Sequence, residues 1–129
     1  MPSFSPALLL DALTAQLPPV SRGALCVSFS GGLDSTVLLT ALARASAGHA
    51  QLRVRAVHID HQLHPDSGQW AEHCRRAAEA LCIPFLARRV RVERDAPSGP
   101  EAAARFARYE ALRQIIEPGE VLLLSLIHI

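Results

Sequence analysis

The sequence predicts an α/β domain with a doubly wound parallel sheet and helices on both of its faces. Two observations support this prediction. Apolar strand-like runs alternate with helical repeats along the 129 residues, and such alternation favours parallel strands joined by helices. In addition, a serine- and glycine-rich turn at residues 30–35 joins the first apolar run to the first helical repeat. Ligands of such sheets bind at the carboxyl ends of the strands, where this turn is expected to lie.

The first third of the chain predicts a leading helix, then the first strand, then the first of the three helices that alternate with the strands. Residues 5–17 have helical spacing and end at a Pro-Pro pair, which predicts a short packing helix. Residues 24–29 are almost wholly apolar, as expected of a strand buried on both faces. Apolar residues then recur at helical spacing until Gly48 supplies a stop signal.

The middle of the chain predicts a second strand at residues 52–59, followed by a second helix. Asp66 and Gln69 have the spacing of a capping box that opens this helix, and Pro84 ends it. The inner face of the helix is expected to comprise Trp70, Cys74, Ala77, Ala78 and Leu81.

The last third predicts an edge strand, a helix and a final strand. Residues 85–92 carry three arginines, a density of charge that suits the edge of a sheet. Ser98 and Glu101 have capping-box spacing and predict a third helix that runs to Ile116. A Pro-Gly pair ends that helix, and residues 121–124 begin the fourth strand.

The turn after the first strand has the composition of a phosphate-holding loop. It reads Ser30-Gly31-Gly32-Leu33-Asp34-Ser35. Its glycines can adopt positive φ and let the backbone approach a ligand, while its serines offer hydroxyl donors to phosphate oxygens. A carboxylate beside phosphate needs a cation between them, so Asp34 is expected either to face Mg²⁺ or to cap the helix. The chain contains no lysine, which excludes a Walker A loop.

Two polar segments could complete a site at the same edge. His58, Asp60 and His61 leave the second strand where they could meet adenine, ribose or a metal, whereas His64 and His73 are expected to face solvent. On the third helix a polar face, which could grip phosphates and a base or could simply be solvated, comprises Glu101, Arg105, Arg108 and the neighbouring Tyr109. The core face of that helix is expected to comprise Ala102, Phe106 and Ile116.

Three ordered motifs give the chain its resemblance to a known family. They are the loop at residues 30–35, Val57-His58-Ile59-Asp60-His61-x-Leu63, and Glu101-Ala102-Ala103-Ala104-Arg105-x-x-Arg108-Tyr109-Glu110-Ala111-Leu112. The first resembles the signature of the PP-loop ATP pyrophosphatases, which have the adenine nucleotide alpha hydrolase-like fold. The whole set, from about residue 24 to residue 124, resembles the bacterial tRNA(Ile)-lysidine synthetases.

This resemblance implies an ATP- and Mg²⁺-dependent ligase. Such an enzyme adenylates the wobble cytidine of tRNA(Ile) with the CAU anticodon, and free lysine then displaces AMP to form lysidine. Carried over residue by residue, the resemblance implies that residues 30–35 hold ATP and that Asp34 binds the metal. It also implies that Asp34 and Arg105 are catalytic, and that Asp60, Arg105 and Arg108 contact the substrate.

The sequence departs from the family at its end, where Ser125-Leu126-Ile127-His128-Ile129 replaces a His-rich turn and paired aspartates. The resemblance therefore implies that residues 1–129 are a partial N-terminal PP-loop ATP-binding domain, incomplete at the C-terminus. It also implies that the C-terminal tRNA-binding domains are absent and that the piece alone makes no lysidine.

Composition sets the remaining expectations. The net charge of +1 neither requires nor excludes a nucleic-acid partner. Three cysteines without a C-x-x-C pair predict reduced core thiols, and no apolar run reaches the roughly 18 residues of a membrane span, so we expect a soluble cytoplasmic protein. Two alternatives stay open: another PP-loop ligase or sulfur transferase, against which the missing C-x-x-C counts, and a non-catalytic ATP-binding module.

Overall fold

The computed structural model describes residues 23–48, 52–93 and 95–124. Within them the elements are β1 (Ala24–Ser28), α1 (Leu33–Ala47), β2 (Arg53–Asp60), α2 (Ser67–Ala80), β3 (Phe85–Arg89), α3 (Pro100–Ile115) and β4 (Val121–Leu124). The predicted alternation of strands and helices is confirmed, although β3 stops short of the predicted residue 92. The predicted leading helix at residues 5–17 and the tail at residues 125–129 lie outside the described residues.

The strands form one parallel sheet in the order β3-β2-β1-β4. The chain moves outward from β1 through β2 to β3 and then returns to add β4 on the other side of β1. Strand order therefore reverses between β1 and β4, directly beside the turn that follows β1. The arginine-rich strand β3 lies at the edge of the sheet, as its composition predicts.

Helices cover both faces of the sheet, which confirms the doubly wound prediction. On one face Leu25 and Val27 of β1 pack in a cluster with Leu39 of α1 and with α2. On the other face Val57 of β2 packs against Leu112 of α3. Successive residues of a strand point to opposite faces, so the near-continuous apolar runs of β1 and β2 are explained by burial on both sides.

Neither predicted capping box forms. Asp66 does precede α2, but its φ of −93° and ψ of 11° are not the extended geometry of a capping residue, and its side chain makes no cap hydrogen bond. Helix α3 begins at Pro100 rather than at the predicted Ser98 cap, and Gly99 occupies the cap position with a φ of 92°. Proline is well suited to a first helical position, because its fixed φ is already helical.

The sheet-facing stripe of α3 differs from the predicted one. The buried residues are Ala111, Leu112 and Ile115, whereas the predicted core residue Phe106 is 69% exposed. Extended toward the N-terminus at helical spacing, this stripe continues through Arg108 and Arg105. The predicted polar face and the true core face are thus one stripe, which is apolar over the sheet and polar where α3 reaches the carboxyl edge.

An ion pair joins the C-terminal end of α3 to the sheet. Arg55 of β2 donates two hydrogen bonds of 2.6 Å to the carboxylate of Glu120 and one of 2.9 Å to the carbonyl of Ile115. Glu120 also accepts the amide of Glu117 at 3.1 Å. Burial opposes ionisation of Glu120, but these hydrogen bonds leave its pKa below the usual range. The pair therefore joins β2, the end of α3 and the start of β4.

Candidate nucleotide-binding site

The glycine loop after β1 has one position that only glycine can occupy. Gly31 has a φ of +81°, and a Cβ placed there would lie 2.6 Å from Sγ of Cys74 and 3.0 Å from the ring of Trp70. Gly32 has an ordinary φ of −74°, and its hypothetical Cβ would lie 3.5 Å from Oγ of Ser30. Of these two glycines, Gly31 therefore adopts the positive φ that the sequence allows at both positions, and Gly32 does not.

The loop hydroxyls hold the loop in shape. The amide of Ser30 donates to Oγ of Ser35 at 2.9 Å, and the amide of Gly32 donates to Oγ of Ser30 at 3.3 Å. Ser35 is buried, while Ser30 is exposed. Each hydroxyl accepts one of these bonds and keeps its own proton for another acceptor.

Helix α1 begins without a side-chain cap, so amides of its first turn are left without helical partners. Its capping residue is Gly32, and the alternative prediction that Asp34 caps the helix is wrong. Asp34 lies exposed in the first turn, beside Leu33, whose side chain is 79% exposed. This end of the helix attracts anions through its free amides and its dipole.

Trp70 of α2 supports the loop from the side. Its indole Nε1 donates a 2.7 Å hydrogen bond to the carbonyl of Ser30, and its ring stacks on His73 at a centroid distance of 4.7 Å. We predicted Trp70 for the inner face, but it is 46% exposed. It lies in the first turn of α2, at the same sheet edge as the loop, and a partly buried indole N–H requires an acceptor. Of these facts, only the place of Trp70 near the start of α2 was visible in the sequence.

The end of β2 lines a cavity that lies beside the glycine loop. His58 is buried, with Nδ1 2.9 Å from the carbonyl of Phe29 and 3.6 Å from Sγ of Cys74. Asp60 is also buried, and its Oδ1 accepts the amide of Gln62 at 2.9 Å. The cavity has a volume of about 610 Å³ and is lined by residues 58–64 together with the first turns of α2. It lies beside the glycine loop, because Trp70 lines it and also contacts Ser30.

His61 joins this cavity to α3. Burial and the positive charge of Arg108 hold the pKa of His61 below its usual value of 6.5. Nε2 of His61 and Nε of Arg108 are both buried and have no hydrogen-bond partner among the described residues. The guanidinium of Arg108 lies 5.3 Å from the ring centre of Tyr109. Buried polar atoms of this kind are normally hydrogen-bonded, so these two atoms mark a place for a polar ligand or water.

The structure therefore brings some predicted site residues together and leaves others apart. Residues 30–35, Asp60 and Arg108 lie around the carboxyl edge of β1 and β2. Arg105 is exposed one helical turn before Arg108. His64 and His73 are exposed, as predicted, although His73 stacks on Trp70. Within the described ranges no group of three or more His, Cys, Asp or Glu side chains could hold a metal ion. None of the described helices is long and apolar enough to cross a membrane.

Comparison with known proteins agrees with this geometry. The chain is 51% identical over 122 residues to a protein of Alkalilimnicola ehrlichii named tRNA(Ile)-lysidine synthase, which covers 95% of this chain and 26% of that protein. A protein of the same name from Xanthomonas axonopodis is 46% identical over 113 residues, or 87% of this chain and 25% of that protein. The chain spans about a quarter of the length of these curated relatives. The PP-loop domain family matches residues 9–128, and the chain belongs to that family.

Proposed function

We propose that this chain is the ATP-binding part of an enzyme that forms lysidine on tRNA(Ile) with the CAU anticodon. In the first step the 2-oxo group of the wobble cytidine attacks the α-phosphorus of ATP, and pyrophosphate leaves. In the second step an amine of free lysine attacks C2 of the cytidine, and AMP leaves. The relatives named tRNA(Ile)-lysidine synthase support this assignment, and a reaction on tRNA would take place in the cytoplasm.

The observation that carries the proposal is the geometry of the glycine loop. The positive φ of Gly31 sets the turn and lets it pack closely against Cys74 and Trp70, Gly32 is exposed, and α1 begins without a side-chain cap. These features fit the triphosphate of ATP, which residues 30–35 would hold. The exposed carboxylate of Asp34 in the first turn fits one ligand of a Mg²⁺ ion. Bound Mg²⁺ would offset the charge that develops on the leaving pyrophosphate.

The polar end of the α3 stripe suits the nucleotide substrate. Arg108 has a buried Nε without a partner among the described residues, and its charge lowers the pKa of His61, which lines the cavity. Arg105 shares the stripe and remains exposed, so its charge is available to an adenylated intermediate. We assign Arg105 and Asp34 to catalysis, and Asp60, Arg105 and Arg108 to substrate binding.

The cysteines favour a ligase over a sulfur transferase. Burial raises the pKa of Cys26 and of Cys74 to about 11, so both thiols stay protonated near neutral pH. Cys82 is exposed, but it stands alone. Sulfur transfer needs a reactive thiolate, and neither buried thiol supplies one.

A chimaera tests the proposal without depending on where this chain ends. The matched segment of the Alkalilimnicola ehrlichii protein would be replaced by this chain, and labelled lysine, ATP, Mg²⁺ and a tRNA(Ile) transcript would be added. We expect lysine incorporation into the tRNA and one pyrophosphate released per lysine. Both should require every component, and removal of Mg²⁺ with a chelator should stop both.

Two controls distinguish the alternatives. The unaltered relative sets the reference rate, and a transcript whose wobble base is uridine should give no product. Pyrophosphate release without lysine incorporation would identify a different PP-loop reaction. ATP binding without pyrophosphate release, in a chimaera that folds as the relative does, would identify a non-catalytic module.

A further inference from the structure

A second cleft lies between the outermost strand of the sheet, β3, and α3. It has a volume of about 570 Å³, and its lining includes Arg88, Arg89 and Arg91 from β3 and the segment after it, and Phe106 and Glu110 from α3. The three arginines are exposed. None of these residues belongs to the proposed ATP site, so the cleft needs its own explanation.

The arginines of this cleft have no acidic partner within the described part of the chain, in contrast to those on α2. On α2, Arg75 and Arg76 form ion pairs with glutamates one turn away. Glu110 in the cleft is already bound by Arg113. Within the described part of the chain, Arg88, Arg89 and Arg91 form no ion pair, and Glu93 is the one other acidic residue of the lining. The cleft therefore carries net positive charge that the fold leaves without a counterion.

An aromatic side chain is exposed in the same cleft. Phe106 is 69% exposed, although burial of such a ring would stabilise the fold by about 2 kcal/mol. Unpaired arginines beside an exposed aromatic ring are the composition of surfaces that bind single-stranded nucleic acid: the cations contact phosphates, and a base stacks on the ring.

The cleft adjoins the cavity beside the glycine loop. Val90, which lines the cleft, donates its amide to the carbonyl of Asp60 at 2.9 Å and accepts Nε2 of Gln62 at 3.2 Å. Asp60 and Gln62 line the cavity. A strand of nucleic acid in the cleft would therefore lead directly into the cavity.

We propose that the cleft between β3 and α3 binds a single-stranded segment of the substrate tRNA, with phosphates on Arg88, Arg89 and Arg91 and a base on Phe106. The proposal rests on the function proposed above and adds where the RNA chain runs beyond the modified nucleotide. A second copy of this chain is a poorer occupant. A two-fold contact through the β3 edges would bring three unpaired arginines from each copy together.

Matched double variants test the cleft. Arg88→Gln/Arg91→Gln removes two of its charges, whereas Arg44→Gln/Arg53→Gln removes two exposed arginines that also form no ion pair in the described part of the chain and lie on α1 and at the start of β2. Binding of a tRNA(Ile) transcript by the 129-residue chain would be measured at several salt concentrations. We expect about tenfold weaker binding for the cleft variant and a salt slope reduced by about 1.4, and little change for the control. Phe106→Ala should weaken binding about tenfold with an unchanged slope.

Turnover of the chimaera separates this proposal from the proposed function. The cleft variant should raise the KM for tRNA about tenfold while the KM for ATP stays constant. If the parent chimaera makes no lysidine, the proposed function fails, and the binding experiment still decides the cleft. Equal tRNA affinities and slopes for the cleft and control variants would overturn the proposal. If the cleft variant binds tRNA as tightly as the parent but no longer forms a dimer that the parent forms at high concentration, the proposal is overturned and the cleft binds a second copy instead.

Discussion

Polar side chains at the amino ends and at the carboxyl ends of the strands differ in whether they are hydrogen-bonded. Toward the amino edge, Arg55 and Glu120 satisfy each other, and Arg55 also binds the carbonyl of Ile115. At the carboxyl edge, His61 and Arg108 each have a buried nitrogen without a partner among the described residues. Closed polar networks stabilise a fold, whereas open ones mark places where a ligand completes the hydrogen bonding. The comparison predicts that substitutions at the amino ends of the strands lower the free energy of unfolding, whereas substitutions at the carboxyl ends lower activity or ligand binding.

Asp34→Ala should have the largest effect. In the chimaera we expect pyrophosphate release to fall at least about 1,000-fold, because the exposed carboxylate would hold the Mg²⁺ that offsets charge on the leaving group. The free energy of unfolding should change by less than about 0.5 kcal/mol, since Asp34 makes no cap hydrogen bond. Glu117→Ala, which removes an exposed carboxylate near the amino edge, is the control and should leave the rate unchanged. Near-normal turnover of Asp34→Ala would remove Asp34 from the chemistry.

Replacement of the two loop glycines should give unequal results. Gly31→Ala forces a Cβ to within 2.6 Å of Cys74 in a left-handed backbone, and we expect it to destabilise the chain by about 3 kcal/mol. Gly32→Ala has an ordinary φ and a 3.5 Å contact, so it should cost less than about 1 kcal/mol. Urea unfolding of both variants measures the difference. Equal costs would show that the loop relaxes around an added methyl group.

Glu120→Gln tests the closed network. It leaves the guanidinium of Arg55, a side chain that is 25% exposed, without its carboxylate, and we expect a loss of about 2 kcal/mol with ATP affinity unchanged. Glu117→Gln is the matched control. Because the folded-state pKa of Glu120 lies below its usual value of 4.5, its contribution is present above that pH and is lost as the pH falls through the lowered pKa. Unfolding free energies that show the same pH profile for parent and variant would contradict this assignment.

The same contrast explains what the sequence could predict. The near-continuous apolar runs of β1 and β2 and the charges on β3 predict the sheet and its edge, because they reflect burial alone. The role of Trp70 was missed, since its spacing from Cys74 is equally that of a core residue. Phe106 was assigned to the core because helical spacing alone does not show which face of α3 the sheet covers, and that face comprises Ala111, Leu112 and Ile115. The surroundings of His61, whose Nε2 has no partner among the described residues, depend on α3, a helix that begins some 40 residues later in the chain. Local sequence patterns do not show which distant residues come together in the fold.

Trp70→Phe should have a moderate effect at the carboxyl edge. The ring that stacks on His73 is kept, but the 2.7 Å hydrogen bond to the carbonyl of Ser30 is lost. We expect a cost of about 1 kcal/mol, felt as about fivefold weaker ATP binding because the loop is less well held. Gln69→Ala, a change at the neighbouring exposed position, serves as the control. Unchanged ATP affinity in Trp70→Phe, measured by calorimetry, would limit Trp70 to packing.

On stability, Arg108→Gln should have the smallest effect of these changes, and it acts through a rise in the pKa of His61. Burial first and the charge of Arg108 second keep that pKa below 6.5, so removal of the Arg108 charge leaves burial and a smaller contribution from His58 to lower it. The fold favours neutral His61, and parent stability therefore falls as the pH drops below 6.5, where the unfolded chain binds the proton more readily. The variant should lose less stability over that range. Imidazole NMR shifts of His61 measure the pKa directly. Arg105→Gln is the matched control, because Arg105 is not among the groups that shift this pKa. An equal rise in both variants would show that His61 responds to the overall charge of α3, and would remove the specific contact between the cavity and Arg108.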